Sequence, residues 1–160
     1  MTRYAIALGS NQGGRVDRLR QAVAELEGLG TIEAISGLYE TEPVGGPAQD
    51  PFLNAVVLLD TDLAPAKLLA TLQQIETAND RVRTVRWGPR TLDLDIVAVG
   101  DQVIDTPDLQ VPHPRAAERL FVLQPLCDVW PEAMVGDGLT AAEALSAVSG
   151  QVADLVAADW

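Results

Sequence analysis

An α/β (α+β) fold, one antiparallel sheet with helices packed against it, is predicted by three features of the sequence. Short runs rich in branched apolar residues alternate with two stretches of helical periodicity. These segments follow one another in the order β-α-β-β-α-β. The chain has 160 residues, of which 48% are hydrophobic and 21% charged, enough for a single full core. Residues 1–160 are therefore expected to form one domain.

The elements are taken in chain order. "RYAIALG" (3–9) is short, apolar and ended by glycine, so it predicts a strand. Residues 15–29 place Val16, Leu19, Ala22, Val23, Leu26 and Leu29 on one helical face. "TIEAISGLYET" (31–41) alternates and predicts one strand. "EPVGGPAQDP" (42–51) is a loop by its prolines and glycines. "FLNAVVLLDT" (52–61) predicts a buried strand. Residues 64–80 carry Pro65 near the start and Leu68, Leu69, Leu72 and Ile75 on one face, a second helix. "TLDLDIVAV" (91–99) closes the series as a strand. This order is the split βαβ, ferredoxin-like arrangement, with both helices on one face of the sheet. Residues 100–160 add turns, the segment "VPHPR" and a helix near "TAAEALSAV". The fold alone does not decide an activity.

Composition excludes several classes. Eleven basic residues against 23 acidic ones give a net charge of −12, which repels nucleic acid. Unbroken apolar runs such as Ala55–Leu59 fall far short of the roughly 20 residues of a membrane-spanning helix. "MTRYAIALGSN" runs into Gly-Ser-Asn without a small-residue cleavage site, so no signal peptide is expected. The one cysteine, Cys127, has no internal partner, and a reducing, cytoplasmic setting is expected. Ten of the eleven basic residues are arginines, and six of them lie between positions 81 and 119: Arg81, Arg83, Arg86, Arg90, Arg115 and Arg119. Arginine's planar fork matches phosphate oxygens, so a local cluster in an acidic chain points to a compact phosphate ligand.

The segment "RWGPRTLDLDI" (86–96) joins that cluster to two carboxylates. Side chains alternate along a strand, so Asp93 and Asp95 share one face, and Leu92, Leu94 and Ile96 the other. The aspartate face is expected to continue through Val97 and Val99. Two neighbouring carboxylates repel unless a cation or proton intervenes, and Mg²⁺ commonly links such a pair to substrate phosphates. An isolated D-x-D is more often a solvated strand edge, and the arginines could be neutralised by nearby aspartates. Arginines and Trp87 leading into a carboxylate pair nevertheless suit a nucleoside triphosphate carried with magnesium. "GSNQGG" (9–14) lacks the lysine and spacing of a P-loop.

"ALGSN" (7–11), "LYETEPVG" (38–45), "FLNAVV" (52–57), "RWGPRTLDLDI" (86–96), "VPHPR" (111–115) and "RLFVLQPL" (119–126) occur in this order. Together they resemble the 6-hydroxymethyl-7,8-dihydropterin pyrophosphokinase family of the folate pathway, over roughly residues 4–132. The resemblance implies a ferredoxin-like fold and transfer of pyrophosphate from ATP, as co-substrate, to the pterin hydroxymethyl group with release of AMP. It implies that Asp93 and Asp95 bind two Mg²⁺ ions. It implies that Arg81, Arg83 and Arg90 contact phosphates as a loop closes, sealed by Trp87, with Arg81, Arg90 and Asp95 serving catalysis. Gln73, Glu76, Ile96, His113 and Arg119 fall on the ATP side. Phe52 and Phe121 would sandwich the pterin, with Asn54 at its edge and Thr41, Pro43 and Val44 reading the rest. Asp95 is a candidate proton acceptor, although metal alone could lower the hydroxyl pKa.

Blander readings stand beside these. Without the resemblance Phe52 and Phe121 read first as core residues and His113 as a turn residue, and Glu76 could simply be a solvated helix position. Asn54, inside an apolar run, is harder to set aside, because a buried amide needs partners. Asp80 stands where the family usually has Gly, and Gln12 and Gly14 where Leu and Asp are usual. Small-molecule substrates, no nucleic acid, no membrane and a monomer are expected. Two other classes remain. A non-catalytic binding module leaves the aspartate pair unexplained. An RNA-binding domain is opposed by the net charge and by the lack of an RNP-type aromatic strand.

Overall fold

The computed structural model describes residues 1–10, 14–41, 51–78, 92–136, 138–148 and 153–160. The elements are β1 (Thr2–Ser10), α1 (Arg15–Glu27), β2 (Thr31–Ile35), β3 (Leu38–Thr41), β4 (Phe52–Thr61), α2 (Pro65–Ala78) and β5 (Asp93–Val99). After them come β6 (Ile104–Asp105), β7 (Gln110–Val111), α3 (Leu120–Val129), β8 (Met134–Gly136), β9 (Leu139–Thr140), α4 (Ala141–Ala147) and β10 (Ala153–Ala157). The main sheet has the order β10-β3-β4-β1-β5, and β2 pairs with the far end of β4. All its pairings are antiparallel. The ferredoxin-like order is thus present, with β2 and β3 together occupying the place of its second strand.

Alternation along the strands divides the core in two. Tyr4, Ile6 and Leu8 of β1 and Leu53, Ala55, Val57 and Leu59 of β4 face α1 and α2, which contribute Leu19, Leu26, Leu68 and Leu72. Ala5 of β1 and Val56 and Leu58 of β4 face the opposite way, toward Val122, Leu123 and Leu126 of α3 and Ala141 and Ala144 of α4. The predicted pair of helices therefore shares one face. The other face is covered by α3, an element that periodicity did not assign. Its run "LFVLQPLCDV" is interrupted by Pro125. The helix expected near "TAAEALSAV" is α4, started by a capping box in which Thr140 and Glu143 satisfy each other's backbone amides. Among the described residues no helix is long and apolar enough to cross a membrane.

Simple alternation fails at two places. The expected strand 31–41 is broken at Ser36-Gly37. Ser36 Oγ accepts the Val56 N–H at 2.8 Å and donates to the Gly37 carbonyl at 2.8 Å. The break is held by the partner strand, and no proline marks it in the sequence. The other place is β5, which carries a bulge. Ile96 pairs with Ile6 and Ala98 with Ala5, so Val97 is the extra residue. Val97 and Ala98 both enter the α3-side core, and Val99 returns to the α1/α2 side. The expectation that Val99 shares the aspartate face is thereby corrected: the bulge resets the phase. The Val97 carbonyl accepts the His113 N–H at 3.1 Å.

The start of β3 is tied to α3. Asp128 accepts the Tyr39 hydroxyl at 2.7 Å and the Gly37 N–H at 3.2 Å. Burial first, then the bond to Asp128 and its charge, push the Tyr39 phenol up to about 12 from its ordinary 10. A folded pKa above the unfolded one gives stability that is whole below pH 10 and is lost as pH rises toward 12. Tyr39→Phe is expected to cost about 1–2 kcal/mol at neutral pH, the range for a hydrogen bond to a partly exposed carboxylate. Between pH 10 and 12 the wild type should lose this advantage over the variant. Chemical denaturation across that range checks both, and parallel curves for the two proteins would contradict the assignment.

Candidate active site

Several of the candidate residues collect at one end of the α3-side face, where β3, β4, β1 and β5 lie side by side. One register row runs across all four: Tyr39 opposite Asn54, Asn54 opposite Gly9, and Gly9 opposite Asp93. The next row places Val56 opposite Ala7 and Ala7 opposite Asp95. Directly opposed residues share a face. The central strand β1 therefore places Ala7 and Gly9 between the larger side chains of β4 and the aspartates of β5. The result is a shallow trough with a small-residue floor.

The β4 wall is polar and fixed. Asn54 is 6% exposed, and its Nδ2 donates to Thr41 Oγ1 at 2.8 Å. The opposite end of the amide lies over Gly9: a Cβ at that position would stand 3.3 Å from Asn54 Oδ1. A side chain here would crowd the amide, which would have to give by a few tenths of an ångström. Gly9→Ala should shift the Asn54 amide and raise the KM of a ligand bound at its edge about tenfold, since misplacement by a fraction of an ångström is costly in a positioned site. KM for a ligand bound at β5 should be unchanged. Steady-state kinetics with both substrates checks this, and a selective loss on the β5 side would contradict it.

Phe52 sits opposite Thr41, on the same face and at the same end. It is half-buried and belongs to neither core cluster, and Phe121 is half-buried at the margin of the α3-side core. Phe121 thus packs in part on that core, as the core reading expects, whereas Phe52 stands apart from both clusters. The Arg119 guanidinium lies over the Phe121 ring, 5.4 Å from its centroid.

The β5 wall is charged. Asp93 is half-buried and Asp95 exposed. His113 is brought beside Asp95 by the bond from its amide to the bulge carbonyl. Burial lowers the His113 pKa, with Arg119 and Arg115 adding to the depression and Asp95 opposing it. His113 Nδ1 accepts the Arg115 N–H at 3.3 Å, so the neutral ring carries its proton on Nε2. Burial and Arg115 lower the Arg119 pKa, against the pull of Asp95 and Glu118. His113, Arg115 and Arg119 thus form a bank of donors facing an aspartate.

On α2, Gln73 is exposed, whereas Glu76 is 7% exposed and its Oε2 accepts the Leu94 N–H at 2.9 Å. Glu76 is not a solvated helix residue. Ile96 is 2% exposed in the α1/α2-side core, on the face away from the aspartates. Its side chain is not a wall of the trough, so any ligand contact there would be through its main chain. Arg81, Arg83, Trp87, Arg90, Pro43, Val44, Asp80 and Gln12 lie outside the described residues. Sequence reasoning missed the roles of Gly9, Val97 and Asp128. Only Gly9 carried a signal, as a glycine at the end of an apolar strand.

A carboxylate pair set against an Arg–His bank, with an amide and two phenylalanines nearby, suits one ligand chemistry: a polyphosphate beside a flat polar ring. The fold and site define a phosphate-transferring enzyme of ferredoxin-like architecture.

The family model of 7,8-dihydro-6-hydroxymethylpterin-pyrophosphokinase (HPPK) matches residues 5–131, and the chain belongs to that family. It is 45% identical over 147 residues to the 2-amino-4-hydroxy-6-hydroxymethyldihydropteridine pyrophosphokinase of Pseudomonas aeruginosa, covering 91% of each chain. It is 52% identical over 126 residues to the protein of that name from Bacillus subtilis, covering 78% of this chain and 75% of the other. Among solved structures it is similar to HPPK-DHPS in complex with substrates, with a TM-score of 0.69 at 14% identity. It is also similar to wild-type Plasmodium falciparum HPPK-DHPS with pteroate, with a TM-score of 0.72 at 16% identity. At these identities the likeness is one of fold. The match covers 91% and 92% of this chain, and 43% and 42% of those two solved chains.

Proposed function

We propose that the chain transfers the pyrophosphoryl group of ATP to the hydroxymethyl group of 6-hydroxymethyl-7,8-dihydropterin and releases AMP, a step of folate biosynthesis. Family membership over residues 5–131 carries this reading. What supports its placement on the molecule is the row Asn54–Gly9–Asp93, which sets an amide edge and a carboxylate on opposite walls of one trough.

The pterin ring stacks between Phe52 and Phe121, each aromatic pair contributing about 0.5–1.5 kcal/mol beyond area burial. Asn54 and Thr41 meet its polar edge, and Pro43 and Val44 supply main-chain groups beside it. The hydroxymethyl group then points along the floor of Ala7 and Gly9 toward β5. Its oxygen attacks the β-phosphorus of ATP, the bond between that phosphorus and the α–β bridging oxygen breaks, and AMP departs. Asp95, exposed at the β5 wall, accepts the hydroxyl proton. Neutral His113 donates through Nε2 to a phosphate oxygen, and Arg119, steadied by Phe121, neutralises phosphate charge. Gln73 and the main chain of Ile96 lie on the nucleotide side, whereas Glu76 is turned to the Leu94 amide beneath β5. Arg81, Arg83 and Arg90 hold the phosphates and Trp87 covers them. Positioning and charge neutralisation suffice for this chemistry, which needs no nucleophilic side chain.

Asp93 and Asp95 share one face of β5 and would hold Mg²⁺, two ions being expected, since hard cations take carboxylate oxygens. When bound, the ions neutralise the triphosphate and make the hydroxyl more acidic. Residues 1–160 act as one domain, monomeric and cytoplasmic.

Nucleotide product analysis tests this reading. Incubation with ATP and Mg²⁺ should release AMP only when 6-hydroxymethyl-7,8-dihydropterin is present. ADP as product would mean transfer of one phosphoryl group. Binding of both ligands without turnover would make the chain a binding module.

A further inference from the structure

The outer edge of β5 is where the fold has a problem that one side chain solves. The order β10-β3-β4-β1-β5 makes β5 the end strand among the described residues, with β1 as its neighbour in the sheet. Leu94 lies between Asp93 and Asp95, and its side chain is 3% exposed in the α1/α2-side core. Its amide therefore sits at a sheet edge that α2 covers and water does not reach. A buried N–H without a partner is costly. Glu76 of α2 supplies the acceptor that a further strand would otherwise provide, with Oε2 at 2.9 Å from the Leu94 nitrogen. The carboxyl group is itself buried, a location that is unfavourable unless it is hydrogen-bonded.

Resting on the functional reading above, we propose that Glu76 is a positioning residue for the two aspartates. By holding the Leu94 amide it fixes the backbone of Asp93-Leu94-Asp95, and so the spacing and direction in which both carboxylates meet the divalent cations. Glu76 belongs to the helix rather than to the strand, so the position of the aspartates is set by α2 packing on β5 as well as by pairing with β1. Loss of an outer hydrogen bond that orients metal-binding carboxylates typically costs about 10–100-fold in metal affinity.

The test compares Glu76→Gln with Glu76→Met. Glutamine keeps an oxygen acceptor of the same shape without the charge. Methionine fills the same volume with no comparable acceptor, which protects the fold from a cavity. The first readout is hydrogen exchange at the Leu94 amide in ligand-free protein. It should accelerate at least about tenfold in Glu76→Met relative to the Ile96 and Ala98 amides and stay near wild type in Glu76→Gln. The second is Mn²⁺ binding in the presence of a non-hydrolysable ATP analogue. The dissociation constant should rise about 10–100-fold in Glu76→Met and be largely restored in Glu76→Gln. Unchanged Leu94 exchange in Glu76→Met overturns the proposal. So does equal loss of Mn²⁺ affinity in both variants, which would mean a direct charge contact. Absence of pterin-dependent AMP release by the wild type would sink the functional reading, whereas the Leu94 exchange result judges the role of Glu76 independently of turnover.

Discussion

Asp95→Ala and Asp93→Ala should each lower kcat by about three orders of magnitude while leaving the fold intact. Metal-assisted charge stabilisation supplies several kcal/mol to a phosphoryl-type transfer, and each ~1.36 kcal/mol is a factor of ten. The cost to folding is small because Asp95 is exposed and Asp93 half-exposed, and surface substitutions usually fall within about 0.5 kcal/mol. Their backbone positions are held by β1 pairing and by the Leu94 amide, neither of which needs the carboxylates. Circular dichroism and thermal unfolding should match wild type, and pterin binding measured without nucleotide should be unchanged. Asp95→Asn separates charge from shape: it should behave like the alanine variant if the carboxylate charge is what acts. Mg²⁺-dependent turnover within about tenfold of wild type in either variant would contradict the role given to this pair.

Asn54→Ala should have the second largest effect, of a different kind. The amide is buried, bonded to Thr41 and in register with Gly9. A site built to hydrogen-bond a polar ring loses discrimination steeply when that group is removed. KM for the pterin should rise about a hundredfold, with KM for ATP unchanged. Stability should fall by about 1–3 kcal/mol, because Thr41 Oγ1 loses its buried donor. Loss of ATP affinity with pterin affinity intact would place the amide on the wrong substrate. The two variants thus split along the two walls of the trough: β4 governs the acceptor and β5 the transferred group.

Much of this arrangement was legible because it is local. Pro65, the glycine after "RYAIAL" and the spacing of Leu68, Leu72 and Ile75 are signals carried by neighbouring residues, and β1, β4 and α2 fall where they point. Alternation correctly put Asp93 and Asp95 on one face. It failed at Val99, because the bulge at Val97 is decided by pairing with β1 and has no local mark. The break at Ser36-Gly37 did carry a local mark, since a Ser-Gly pair favours a turn, and the Val56 amide of another strand holds it. Glu76 read as an ordinary helix-surface residue until its partner, 18 positions away, was known. Phe52 and Phe121 could not be told from core by composition, and the fold separates only Phe52 from both core clusters. Apart from the Ser-Gly dipeptide, what escaped sequence reading is a register shift, a long-range hydrogen bond or a degree of burial.

The most direct test of the account is a crystal structure of the chain with 6-hydroxymethyl-7,8-dihydropterin, Mg²⁺ and a non-hydrolysable ATP analogue. The account predicts the pterin edge at Asn54 and Thr41, its ring against Phe52 and Phe121, and metal ions joining Asp93 and Asp95 to the phosphates. A pterin bound elsewhere, or metal with neither aspartate among its ligands, would contradict it.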